Sequence, residues 1–439
     1  MLQKSPRLKR IQVVAIAFLT LAGIVNYLDR STLSIANHSV SQELGLSASQ
    51  MGLLLSAFSF AYAFSQLPIG ILLDRFGARV MLGLGMFVWS AAQLCGGLVT
   101  SLPQFLVARV ALGIGEAPNF PAGAKVVSEW FGVHERGRPT GIFITSSTIG
   151  PALAPPVLTV LLLTFGWRTM FIVMGVLGIA VSIGWYLAYR DRRNIPLDSQ
   201  EVAFLTQGEP EQRADRRMTM REWRALFSKS TTWGMIFGNM GVIYMVWLYL
   251  TWLPAYLEHE RHLTIAHTGW LVSIPYLFGT LGMLSSGFVA DGLMARGMAP
   301  IRSRKWPICV GLLGAAFFTV PAAFTPNLTL AMIYLSAAMY FVNMASGACW
   351  ALATVAAPRH MVASLGSIQN FGGYFGGSFA PFITGIVVDK THSFINAFLI
   401  SAVIAFAAAL VYMFVVRTKI EDSETVVSTV PNPTFPDRP

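Results

Sequence analysis

Charge is what this chain has least of. Asp, Glu, Lys and Arg make up 12% of its 439 residues, where a soluble chain carries about 25%. Too few polar side chains remain to coat a water-soluble globule. Cysteine is almost as scarce. Cys95, Cys309 and Cys349 all fall inside apolar runs, which leaves no disulfide framework and no metal cluster. No metal and no cofactor are expected. Histidine is missing from the middle of every apolar run. His38, His134, His259, His262, His267, His360 and His392 fall in polar connections or near helix ends. A proton carried through the apolar region must therefore ride on carboxylates. The phosphate-cradling GxxxxGK[ST], zinc-binding HExxH and nucleophile-bearing GxSxG motifs are missing too. Their absence removes the commonest signs of ATP-driven pumping and membrane hydrolysis, and no enzymatic activity is expected.

What is present is apolar sequence. Hydrophobic residues make up 54% of the chain and the mean hydropathy is +0.58. A helix needs about 20 apolar residues to cross the hydrocarbon core. The runs here are too long and continuous for the alternating strands of a membrane barrel. They predict an all-α membrane protein with twelve helices near 11–35, 50–73, 79–99, 103–130, 139–163, 169–189, 231–257, 266–290, 306–325, 328–356, 362–388 and 393–416. The formal charge of +10 reports topology. On this layout 25 of the 31 Lys and Arg residues fall on one side, and only Arg168, Arg261 and Lys390 on the other. Basic connections stay on the cytoplasmic side, so both termini are expected there. Nucleic acid is not an expected partner; the lipid bilayer is. The first apolar run follows Lys4, Arg7, Lys9 and Arg10 but continues into Asn26-Tyr27-Leu28-Asp29-Arg30 without a small-residue cleavage site. It reads as a retained helix and not as a signal peptide.

The layout predicts a six-helix bundle over 1–189, a polar cytoplasmic linker over 190–230, a second bundle over 231–416 and a cytoplasmic tail over 417–439. The linker carries Arg190-Asp191-Arg192-Arg193 and the basic stretch from Arg213 to Arg224, with room for a short amphipathic helix on the membrane surface. The halves are similar at an offset of 217 residues. Tyr27 matches Tyr244, Gly52 matches Gly269, Leu54 matches Leu271, Ser56 matches Ser273, Gly70 matches Gly287 and Asp74 matches Asp291. Two repeats that rock against each other can expose a midplane site to one side and then the other.

Asp29, Arg30, Arg109 and Glu116 are ionisable groups at membrane depth, where they are costly and mark function. Arg109 and Glu116 are seven residues apart and share a helix face, about 10.5 Å apart. A static ion-pair cluster that fixes packing is the competing explanation, although such a cluster is often replaceable by apolar residues without loss of stability. Asp29 and Glu116 are the candidate proton carriers. Lys125 and Glu129, one turn apart, read as an interfacial ion pair. Gly/Pro interruptions at Gly113 to Pro118, Pro151 to Pro156, Pro254, Pro275 and Gly372 to Gly377 fit gating positions. Tyr27, Tyr62, Ser147, Tyr244, Trp247, Trp350, Gln369 and Asn370 could line a cavity between the halves, each aromatic having packing as its alternative role.

The connection Gly70-Ile-Leu-Leu-Asp74-Arg75-Phe-Gly77-Ala-Arg79 resembles the loop signature of the major facilitator superfamily, with Gly287 to Asp291 as a degenerate second copy. Gly70 and Gly287 would admit a close helix, and Asp74 and Asp291 could face basic groups or a helix N-terminus. Such a charged latch would hold one conformation and release in another; an ordinary solvated turn is the alternative. Asn-Tyr-Leu-Asp-Arg at 26–30, Gly-Glu-Ala-Pro-Asn-Phe-Pro at 115–121, Glu-Arg-Gly-Arg-Pro at 135–139 and Gly-Trp-Arg at 166–168 are similar to stretches of the anion:cation symporter branch, among its bacterial sugar-acid carriers. The resemblance implies a major facilitator fold in the bacterial inner membrane and import of a sugar acid with protons. The substrate would be an aldonate such as L-galactonate, or a related hexuronate or aldarate, and the carrier a monomer. It implies a proton couple at Asp29 and Glu116, a substrate-carboxylate partner at Arg30 and a balancing cation at Arg109. Tyr27, Tyr62, Trp350 and Asn370 would touch substrate. Ser147, and Cys349 before Trp350, stand where D-galactonate carriers show Gln and Thr, which favours a different sugar acid. An organic-anion exchanger or proton-antiport exporter of the same fold is the rival function; a membrane enzyme or receptor is the rival from another class.

Overall fold

The protein is described by a computed structural model covering residues 4–132, 135–206, 220–357 and 361–420. His134, His360, Arg213 and the tail beyond 420 lie outside the described residues.

The first half holds α1 (Pro6–Ile35), α2 (Asn37–Leu44), α3 (Ala48–Phe76), α4 (Ala78–Gly96), α5 (Leu102–Glu116), α6 (Asn119–Trp130) and α7 (Gly137–Ala188). Two short helices, α8 (Ser199–Thr206) and α9 (Met220–Leu226), lie in the connection. The second half holds α10 (Ser230–His259), α11 (Ile265–Leu271), α12 (Ser273–Ala295), α13 (Pro300–Phe324), α14 (Leu328–Ala356), α15 (Val362–Gly377), α16 (Phe379–Thr391) and α17 (Ile395–Val415).

Local sequence explains where these helices start and stop. At α1 the Ser5 side chain accepts from Leu8 N, and Pro6 occupies the first turn, where no N–H is needed. At α3 Ser47 and Gln50 form a reciprocal capping box. Among the described residues, ten helical runs are long and apolar enough to cross a membrane. The α7 run crosses twice, turning at Gly166 with φ 77°, a conformation that favours glycine. Helices α5 and α6 together make a further crossing, which brings the number of crossings to twelve. The helix expected over 103–130 is therefore two helices, broken at Ala117-Pro118 directly after Glu116. The polar helix α2 was not foreseen; it is too short and too polar for an apolar-run criterion, and Gly45 at φ 62° ends it.

The two halves meet at one end of the bundle, the end away from the start of α1. Helix α3 packs on α16, α1 on α10, and α7 on α11 and α12. The contacts are close because small residues stand there. A Cβ on Gly52 would meet the Pro381 carbonyl oxygen, and one on its counterpart Gly269 would meet Thr159. Both carboxylate oxygens of Asp389, on α16, accept from the first backbone N–H groups of α3, Ala48 at 2.8 Å and Ser49 at 2.7 Å. An anion at a helix N-terminus is favoured by the exposed N–H groups and the helix dipole. Phe382 N donates to Ser56 Oγ at 3.0 Å. Ser34 Oγ donates to the Thr251 carbonyl at 2.8 Å, and these two residues are 217 apart. Halfway down, a ladder of rings continues the contact, Phe60 with Phe379, Tyr62 with Tyr374 and Phe64 with Phe371. Beyond that, toward the end where the chain enters, Gly70 and Gly287 have no atom within 4 Å of a Cβ position. Asp74 and Asp291 there have side chains 81% and 74% exposed.

Candidate functional site

The NYLDR stretch lies halfway along α1, and its spacing decides what it meets. Asp29 and Arg30 are both buried, at 0% and 4% exposure. Across from them α5 brings Arg109 and Glu116, at 2% and 0%. All four predicted charges thus lie in one region, but their pairing is uneven. Arg30 Nε donates to Glu116 Oε2 at 2.6 Å, while Glu116 Oε1 and Arg30 Nη2 have no protein partner. Asp29 accepts no hydrogen bond on either oxygen, and Arg109 Nε and Nη1 make none. Buried charges are tolerated only when paired and satisfied. One tight pair thus stands beside two under-satisfied buried charges.

Aromatic rings box the Arg30 guanidinium. Its carbon lies 4.6 Å from the Tyr62 centroid, 5.1 Å from Tyr27, 5.3 Å from Phe58 and 6.0 Å from Trp247. The Arg109 guanidinium carbon sits 5.0 Å from the centroid of the same Phe58 ring. Ring faces attract cations, so the box holds a positive charge where the halves meet. Trp247, from the second half, completes it.

Other predicted residues fall outside this box. Gln369 is buried, its amide donating to the Cys349 carbonyl at 3.2 Å. Ser147 turns its hydroxyl back to the Ile144 carbonyl at 2.7 Å. Tyr244 is buried on α10, and Trp350 is 55% exposed on α14. Asn370 is half-buried on α15. Among the described residues, no hydrogen bond or ring contact joins Ser147, Tyr244, Trp350 or Asn370 to Arg30. Phe58 and Tyr374 belong to the site and were not singled out from sequence, because single aromatics in apolar runs look alike. Trp89, Gln93 and Asn119 were also passed over; all are buried polar groups in the layer of the four charges.

The predicted latch residues do not bridge the halves here. Asp74 pairs with Lys125 of its own half at 2.8 Å, and Lys125 reaches Glu129 only at 3.8 Å. Gly77, at φ 86°, lets Asp191 approach, and Asp191 accepts from Arg79 N at 3.0 Å. The Arg79 guanidinium donates to the Tyr186 carbonyl, and the Arg75 carbonyl accepts from Arg193. Asp291 lies 3.7 Å from Arg304.

Two matched helical halves, with a buried charged site where they meet, define an all-α multi-pass membrane protein built of two bundles. Residues 19–381 match the Major Facilitator Superfamily, and the chain belongs to that family. It is 49% identical over 424 residues, 96% of this chain and 93% of the other, to the probable L-galactonate transporter of Escherichia coli K12. It is 30% identical to the D-galactonate transporter of Escherichia coli O6:H1, over 94% of this chain and 96% of that one. Among solved structures it resembles a bacterial homolog of the human lysosomal transporter Spinster, inward-facing and unoccupied, with a TM-score of 0.80 at 19% identity over 95% of this chain and 98% of that one. A D-xylose-proton symporter aligns with a TM-score of 0.74 at 14% identity, over 93% of this chain and 99% of that chain. The curated relatives are named transporters, and the protein is a transporter, not an enzyme.

Proposed function

We propose that the protein imports a sugar-acid anion, an aldonate or a related hexuronate or aldarate, together with protons, across the bacterial inner membrane as a monomer. One observation carries the reading. The Arg30 guanidinium is boxed by aromatic rings, paired through Nε with Glu116, and left with an unpartnered Nη2. A guanidinium fork suits a carboxylate, and the rings offer faces to a sugar. The names of the relatives, galactonate and galactarate/D-glucarate transporters, support the substrate class.

In this reading both termini are cytoplasmic, because the basic residues gather at that end. The sealed end is then periplasmic and the structure is open inward. A substrate carboxylate draws Arg30 away from Glu116, and the stranded acid takes a proton. Asp29 supplies the second exchangeable site beside Arg109. Trp350 and Asn370 meet the substrate from the second half, with Ser147, Tyr244 and Gln369 shaping the cavity. The motif residues Gly70, Asp74, Arg75, Gly77 and Arg79, with Gly287 and Asp291, would meet only when the cytoplasmic end closes.

The test pairs two measurements in the same proteoliposomes. Asp29→Asn and Glu116→Gln each fix a near-isosteric neutral state. At least one is expected to keep counterflow exchange while losing uptake driven by an inward proton gradient, and each variant is checked for cooperative melting. Gradient-driven accumulation by both variants at the parent's level would remove both acids from coupling.

A further inference from the structure

Two neutral donors stand in the same layer as the four charges and have no part in the exchange just described. Trp89, on α4, is 1% exposed and packs closely on Gly115, the residue before Glu116, with the Asp29 carboxyl as its polar neighbour. Asn26 is fully buried on α1, one turn before the Arg30 that donates to Glu116, and has that acid as its polar neighbour. Neither pair closes to full hydrogen-bond geometry in this state, and Trp89 Nε1, Asn26 Nδ2 and Asn26 Oδ1 bond no other protein atom. The charged and titratable neighbours are few. Asp29 faces Arg109 and Glu116; Glu116 faces Arg30 and Arg109, with Tyr27 beside it. Burying an indole N–H and a carboxamide without partners is costly, and an apolar side chain would avoid that cost. Each acid therefore has one neutral polar group of its own within reach, held in reserve.

The two groups differ in chemistry. An indole N–H only donates, so it favours a carboxylate, whose oxygens only accept. A carboxamide donates through Nδ2 and accepts through Oδ1, so it can serve a carboxylate and, turned over, a protonated acid. We propose that Trp89 and Asn26 are positioning residues for the proton steps, Trp89 holding Asp29 in its ionised form and Asn26 supporting Glu116 in both forms once Arg30 leaves it for substrate. This rests on the proton-coupled reading above. It assigns the two acids different tasks. Asp29 is kept ready to release its proton, whereas Glu116 is kept free to give up its arginine.

Each half of the proposal has its own signature. Trp89→Phe keeps a ring and removes the donor, so Asp29 binds its proton more readily. The pH of half-maximal driven uptake should move upward by about one unit, the scale of one hydrogen bond to a charged group. Asn26→Leu removes support from both forms of Glu116. It should leave that pH in place and raise the exchange KM about tenfold, because Arg30 is then held on Glu116 against the substrate. Asn26→Gln keeps the carboxamide and should recover most of the KM.

The measurements are driven uptake across a pH series and exchange kinetics with L-galactonate as probe, on the full chain in proteoliposomes. A thermal melt accompanies each variant, and Trp89→Leu, which also lacks a donor, replaces the Phe variant if that one fails to melt cooperatively. A parental pH profile in folded Trp89 variants overturns the role of Trp89. An unchanged KM in folded Asn26→Leu, with only a lower maximal rate, overturns that of Asn26. Parent protein that exchanges substrate but ignores the proton gradient overturns the coupled reading itself and this inference with it.

Discussion

At the scale of single residues, the proposed role of Arg30 turns on the shape of its guanidinium as well as on its charge. Arg30 lies within 4.6–6.0 Å of four ring centroids while donating through Nε. A lysine ammonium carries the same charge but has no planar fork to grip a carboxylate and stack on rings. Arg30→Lys should therefore lower uptake at least ~10-fold with little change in melting temperature, a loss of about 1.4 kcal/mol in the transport step. Parental uptake by Arg30→Lys would take the fork out of the mechanism. Much of this site was legible in the sequence. Ionisable residues inside apolar runs stand out by composition alone, and Asp29, Arg30, Arg109 and Glu116 do share one buried layer. Their pairing was not legible, because which carboxylate an arginine meets depends on the rotation of two helices about their own axes. Phe58, Tyr374 and Trp89 were hidden for another reason: an aromatic that cradles a cation and one that packs against a leucine have the same local sequence.

At the scale of elements, the sealed end is held by charge on backbone as well as by packed side chains. Asp389 spans the interface by capping α3 with both oxygens. Asp389→Asn removes the charge and can no longer accept on both atoms. The closed form of this end should lose roughly 1–2 kcal/mol, enough to shift the open fraction about five- to thirtyfold. Distances between spin labels on the two sides of the seal would lengthen; an unchanged distribution would mean that packing alone holds it. The neighbouring α2 offers a pH test. Glu43 accepts from Trp167 Nε1 at 2.6 Å and from Arg168 Nε at 2.9 Å. The Trp167 hydrogen bond, helped by Arg168, holds its carboxyl below the usual carboxylate range. The folded state thus prefers the ionised group. The stabilisation is complete above the ordinary pKa of a glutamate and is lost as pH falls through the lowered one. Glu43→Gln should melt below the parent at neutral pH, and the two melting curves should converge in acid. A gap that persists in acid would assign the effect to packing.

At the scale of the whole molecule, the halves touch at positions that the repeat matches, although the sequence did not single these out as contacts. Gly52 and Gly269, matched at the 217 offset, both admit the opposite half, through Pro381 and Thr159 respectively. Gly52→Leu should wedge the sealed end apart and slow transport severely while each half stays folded, as seen by a cooperative melt and by raised reactivity of a cysteine placed at Ser49. A variant that transports like the parent would show that this contact yields without cost. What the repeat could not show is which end is shut. Two conformations of such a chain would use the same twelve crossings, and a difference of a few kcal/mol between them would leave no mark on hydrophobic periodicity.

The bond from Ser34 to Thr251 joins residues at equivalent places in the two repeats. In any assembly with two-fold symmetry, a residue can touch its own copy only on the symmetry axis. These two therefore mark that axis in space. A single-repeat ancestor pairing with itself would have set this position of its first helix against the same position in its twin. The present chain keeps that encounter as a contact between a serine and a threonine.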